Sequence, residues 1–234
     1  SVRLFGEEND GALNLGGYLK EAYEEAETFS QLLQQRVRGA GFFKTLLLRR
    51  MGSSMEAGRR TLRKLLGEEP DLPTDEDEDD IEETEVPAQL GRPPQGATDF
   101  KDFTDDELES LHRCLSLLMQ GGNNDPKLEA VIGYLLGVQP HSQTRWLDFG
   151  CILFSQYYDT VRWIGDELSK RPEFSEMDIG LYAGSNRSGF WRDGQFQRCD
   201  RNILKGRVRS GDLKLLLGTD AASEGLNLQR LGTL

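Results

Sequence analysis

With 234 residues, 37% of them hydrophobic and 9% aromatic, the chain suits one large domain or two small ones and is apolar enough to pack a core. No run approaches the roughly 18 apolar residues of a membrane span and no secretory leader opens the chain; three scattered cysteines (Cys114, Cys151, Cys199) and two distant histidines (His112, His141) argue against a disulfide scaffold and a metal cluster, and fit a cytoplasmic setting. The formal charge of −12 does not exclude nucleic acid as a partner: twelve acids and no base lie between Glu68 and Glu85, and the other 28 acids balance the 28 bases.

In chain order, the first pattern is helical. Leu15, Tyr18, Leu19, Ala22 and Ala26 recur at three- and four-residue steps, and Phe29, Leu32 and Leu33 extend the stripe until Gly39 and Gly41 break it. A second helix is expected over about 42–51. Ser53 and Glu56 form a capping-box pair before a third, which stops at Gly67, a C′ glycine. Within this region Lys44, Arg49, Arg50, Arg59, Arg60, Arg63 and Lys64 face one acid, Glu56. This is either a patch that neutralises phosphates or a solvated face balanced by the neighbouring acids. Residues 68–98, acidic and then rich in Pro and Gly, read as a flexible linker, since a block of like charges followed by Pro and Gly cannot bury apolar surface.

Beyond the linker, Thr104 and Glu107 repeat the capping box before a Leu-rich helix that ends at Gly121-Gly122. Asp125-Pro126 then opens a helix through Leu136, as N-cap and N1. Apolar runs at 151–154, 179–182 and 213–218 read as buried strands, with helices over about 157–170 and 200–209 between them; Gly232-Thr-Leu begins a possible fourth. This alternation predicts an α/β region with a parallel sheet over 99–234, preceded by a helical lead-in over 1–67. Phe190, Trp191 and Phe196 lie among Arg187, Arg192 and Arg198, either as a base-stacking loop or as its buried anchor.

No phosphate loop is present: Gly184-Ser-Asn-Arg-Ser-Gly189 lacks the Lys-Ser/Thr that must follow, and neither GxGxxG nor GxSxG occurs. The most specific stretch is Thr219-Asp-Ala-Ala-Ser-Glu-Gly-Leu-Asn-Leu-Gln229, directly after the third strand, where open α/β sheets bind ligands.

That stretch resembles motif V of superfamily 2 helicases and Swi/Snf-like translocases. Cys151-Ile-Leu-Phe-Ser-Gln156 resembles their motif IV strand, and Asp178–Gly184 with Arg201 the strand and helix between the two. Asp125-Pro-Lys127 resembles the lead-in to motif IV, and Leu46–Ala57 a segment found upstream in the bacterial RapA-like group. The resemblance implies a RecA-like helicase C-terminal lobe, the second motor lobe of a DNA-dependent ATPase. It implies that Thr219, Ser155 and Gln156 face nucleic acid, expected to be duplex DNA, and that Gly225 and Asn227 lie near ATP. ATP and Mg2+ would be bound mainly by a first RecA-like lobe, the implied partner. That lobe and the arginine fingers of motif VI are missing from the sequence, so the chain is expected to be a piece of a longer enzyme, cut inside the second lobe and inactive alone. A strand-separating RNA or DNA helicase lobe and a non-catalytic α/β interaction module are the alternatives.

Overall fold

The computed structural model describes residues 17–37, 40–68, 103–122, 124–138, 143–184 and 186–219. They form two compact units, Ser1–Lys127 and Leu128–Leu234. All but Glu68 of the expected linker stretch 68–98 lies outside the described residues, as does the possible strand at 232–234.

The first unit is built from α1 (Gly17–Arg36), α2 (Gly41–Ser53), α3 (Met55–Leu66) and α4 (Asp105–Gln120). Leu19, Ala22, Ala26, Phe29 and Leu33 recur at helical spacing on α1 and meet Leu111, Cys114, Leu115 and Leu118 of α4 in one core, which Leu47, Met51, Met55 and Leu62 close from α2 and α3. The sequence reading groups residues 105–120 with the α/β region. The helix packs instead with α1 and α3, because its apolar stripe complements theirs. Gly58 lets α3 approach closely: a Cβ there would stand 2.8 Å from Met51 Cγ and 3.1 Å from Leu118 Cδ1.

Caps follow the sequence with one shift. Thr104 and Glu107 form the expected box at α4, and Gly67 ends α3 in the left-handed region at φ 70°. At α3, however, the N-cap is Ser54, whose hydroxyl accepts the Ala57 N–H at 3.1 Å. Glu56 is therefore one position too early for a box and pairs with Arg59 (3.5 Å) and Arg60 (3.6 Å) instead.

The division between the units falls in the first turn of α5 (Pro126–Leu136). The second unit continues with β1 (Cys151–Phe154), α6 (Tyr158–Leu168), β2 (Ile179–Tyr182), β3 (Gly189–Arg192), β4 (Gln195–Arg198), α7 (Arg201–Ser210) and β5 (Leu215–Gly218). The fold is α/β, with a five-stranded sheet in the order β1-β5-β2-β3-β4. β1, β5 and β2 run parallel, and β5 lies between the other two, every residue of it buried, as an apolar strand covered on both faces must be.

The sheet is mixed, not parallel throughout. The stretch taken from sequence as an aromatic loop is an antiparallel hairpin, β3–β4, hydrogen-bonded to β2. Its turn is Asp193-Gly194, with φ of 51° and 74°; positive φ at both central residues marks the type I′ turn that matches strand twist.

Candidate functional site

The last register pairs of the parallel strands are level: Phe154 opposite Gly218, and Gly218 opposite Tyr182. The ladder then runs one step further, with Ser155 N–H donating to Gly218 O (3.1 Å) and Thr219 N–H to Tyr182 O (3.2 Å). Ser155, Thr219 and Ala183 thus stand side by side on the carboxyl rim of the sheet, with Thr219 on the central strand as its apolar run requires.

Their exposures differ. Gln156 is exposed and Ser155 half-buried, whereas Thr219 is only 5% exposed. The Ser155 hydroxyl accepts the Tyr157 N–H at 3.2 Å, a local turn that caps the strand and leads into α6. Gly225 and Asn227, the positions that the resemblance brings to ATP, lie outside the described residues with the rest of 220–234, so no ATP contact is derived.

Around Ala183 the rim is tied down. The Ser188 hydroxyl accepts the Ala183 N–H and donates to the Ala183 carbonyl, both at 3.0 Å, and Arg201 Nε donates to the same carbonyl at 2.9 Å. The Arg201 guanidinium lies 5.3 Å and the Lys205 ammonium 5.7 Å from the centre of the buried Tyr182 ring. An aromatic face under two cations fixes them near the rim without neutralising them.

The aromatic residues of the hairpin are an anchor. Trp191 is 1% exposed, its Nε1 donates to Asp166 Oδ1 at 2.7 Å, and its ring lies 4.7 Å from that of Phe196, over which Arg162 sits at 3.8 Å. Gly165 makes room for it: a Cβ there would fall 2.2 Å from the indole. Phe190, half-buried, lies between the guanidiniums of Arg192 (5.1 Å) and Arg207 (4.8 Å). Both arginines donate to the Asp178 carboxylate. Burial pushes the Asp178 carboxyl up, but these hydrogen bonds outweigh it and hold the group below the usual aspartate range.

Asp178 also lines a cavity of about 430 Å³ at the opposite, amino edge of the sheet. There four carboxylates, Asp178 and Asp148 among them, face Arg145, Arg207 and Lys214. Arg145 is engaged by Asp148 and Arg207 by Asp178, so the cavity does not fit a triphosphate.

In the first unit the basic stretch is divided by burial. Arg50 and Arg59 are buried, and Arg59 donates to the carbonyls of Leu118 (2.7 Å) and Gly122 at the end of α4; Arg49 and Lys64 are exposed. For Arg59 neither sequence reading holds: it serves the helix packing.

Asp125 is buried and accepts both the Lys127 N–H and the Met55 N–H at 2.8 Å, and the Lys127 ammonium donates to Gly52 O. Among the described residues there is no group of three or more potential metal ligands, and no helix is long and apolar enough to cross a membrane. Sequence reasoning missed the Asp178 clamp and the Trp191–Asp166 bond; the Asp-Gly pair flanked by strand-forming residues was the signal that would have placed Trp191 and Arg192 on a hairpin. Comparison of the chain with protein-family models, with curated proteins and with solved structures finds no match.

Proposed function

We propose that this chain is the second, RecA-like motor lobe of a Swi/Snf-like DNA-dependent ATPase. The observation that carries the reading is Thr219 at the carboxyl end of the central parallel strand, with Ser155 beside it on one flank and Ala183 on the other. Motif V and motif IV chemistry have to meet on one such rim. Gln156, exposed, and Ser155 approach the nucleic-acid backbone, and Thr219, nearly covered, stands deeper on the same rim. Arg201 holds the loop after β2 by its bond to the Ala183 carbonyl. ATP with Mg2+, bound mainly by a first lobe, supplies the phosphoryl-transfer chemistry; residues of this chain supply backbone contact and orientation.

The test is turnover. The chain alone is expected to hydrolyse no ATP above a buffer control. In a polypeptide that also carries a first lobe, Thr219→Val is expected to reduce DNA-stimulated turnover about ten- to a hundredfold, the loss of one hydrogen bond to a charged group, with unstimulated turnover and melting unchanged. Wild-type stimulation in that variant would reject the motif V role.

One observation favours a second reading, a non-catalytic α/β interaction module. Thr219 is nearly covered and the Ser155 hydroxyl already accepts a backbone N–H. That module would show no DNA affinity beyond the background of its charge.

A further inference from the structure

Apart from Arg187, which is buried over the Tyr158 ring, the described cations of the second unit are of two kinds. Arg145, Arg162, Lys170, Arg171, Arg192 and Arg207 each have a carboxylate oxygen within 4 Å. Among the described residues, Arg198, Arg201, Lys205, Arg209 and Lys214 have none. Lys214 faces the carboxylates of the cavity at Asp148; the other four run from the end of β4 along α7, where the cations without a carboxylate partner are concentrated.

Arg201, Lys205 and Arg209 recur every four residues of α7, on one stripe of the helix. At 1.5 Å per residue the stripe is about 12 Å long, the axial length of three to four phosphates on one duplex strand. Leu204 and Val208, on the adjoining face, are buried in the core and hold the helix against the sheet. The acids at the two helix ends are engaged elsewhere: Asp200 caps α7 through the Asn202 N–H at 2.7 Å, and Asp212 accepts the Ser210 hydroxyl. Unpaired ammonium and guanidinium groups in a row, with no carboxylate to displace, give up only their counterions when a polyanion binds.

We propose that this stripe of α7 is a track for a nucleic-acid phosphate backbone, additional to the rim at Ser155, Gln156 and Thr219. The proposal rests on the motor-lobe reading and extends its contact surface from the sheet rim along a helix. Of the two polyanions to consider, an acidic protein segment or a nucleic acid, the regular spacing of the cations favours the second.

The test is the salt dependence of binding of the 234-residue chain to a short DNA duplex. The variant Lys205→Gln/Arg209→Gln keeps helix propensity and leaves the Arg201–Ala183 bond in place. A control, Lys170→Gln, alters a cation already paired with Glu167. Each phosphate contact contributes about 0.9 to the slope of log K against log salt, so the double variant should be shallower by about 2 and the control unchanged. A salt-dependent parent whose slope the double variant leaves intact overturns the stripe while leaving the rim reading standing. A parent with no salt-dependent binding overturns both. If the double variant loses only its affinity for a synthetic peptide of residues 68–85, the stripe serves an acidic protein segment and the proposal fails.

Discussion

The two units place their charge differently. In the helical unit, charged groups are drawn inside. Glu107 is 1% exposed and bound by Arg36, Asp125 is 3% exposed between two helix N-termini, and Arg59 caps the end of α4. In the sheet unit Asp159 and Arg187 are buried too, but the central strands carry no charge, and the other charges named above stand at the edges: locked around Asp178 at one, without a carboxylate partner along α7. The lesson is that a basic stretch of sequence is not a basic surface. The stretch from Lys44 to Lys64 holds seven cations, yet part of it is packing material. The stripe of Arg201, Lys205 and Arg209 on α7 keeps its charge available.

The comparison breaks most readily at Asp125. Asp125→Ala would leave the buried Met55 N–H without its acceptor and remove the cap of α5; loss of a charged hydrogen bond and a cap together should cost about 3 kcal/mol in urea unfolding. A cost below 1 kcal/mol would mean that the carboxylate is not structural.

In the sheet unit the largest effect should come from shape, not charge. Gly165→Ala adds a methyl 2.2 Å from the indole of Trp191. Overpacking of about 1–3 kcal/mol should outweigh the helix propensity of roughly 1 kcal/mol that Ala gains over Gly. A melting temperature above the parent's would show that the indole has room to move.

Glu107→Gln should cost about 1.5 kcal/mol, less than a fully buried pair, because the Arg36 side chain is 36% exposed and water recovers part of the loss. The hydrogen bond from Arg36, chiefly, holds the Glu107 carboxyl below the usual glutamate range. Its contribution is therefore complete above the unfolded value of about 4.3 and is lost as pH falls through the lower folded value. The gap between parent and variant should close on acidification below about pH 4; a gap independent of pH would assign the effect to packing.

The smallest effect should be a gain. A Cβ at Gly206 meets nothing within 4 Å, so Gly206→Ala should stabilise α7 by about 0.5–1 kcal/mol without touching the cation stripe. Weaker DNA binding in that variant would place the contact on a different face of the helix.

Much of this fold was legible. Helical stripes such as 19, 22, 26, 29 and 33 state their own period, and Leu215–Gly218 can only be a covered strand. The hairpin was harder because β4, Gln-Phe-Gln-Arg, is mostly exposed and lacks an apolar run, although Asp193-Gly194 announces its turn. The buried charges were not legible at all. Arg36 finds Glu107 71 residues away, and Met55 finds Asp125 70 residues away, so no local pattern distinguishes them from surface ions. At the rim, the place of Thr219 followed from the strand before it, but its burial depends on how neighbouring strands end. The α7 stripe went unread because composition counts charges without showing which ones are paired.

Hydrogen exchange of the whole chain, with and without a DNA duplex, tests the division of labour most directly. Slowed exchange is expected at 155–157, at 186–188 and along 201–209, with α1 to α4 unchanged. Protection confined to the helical unit, or none at the rim and α7, would contradict it.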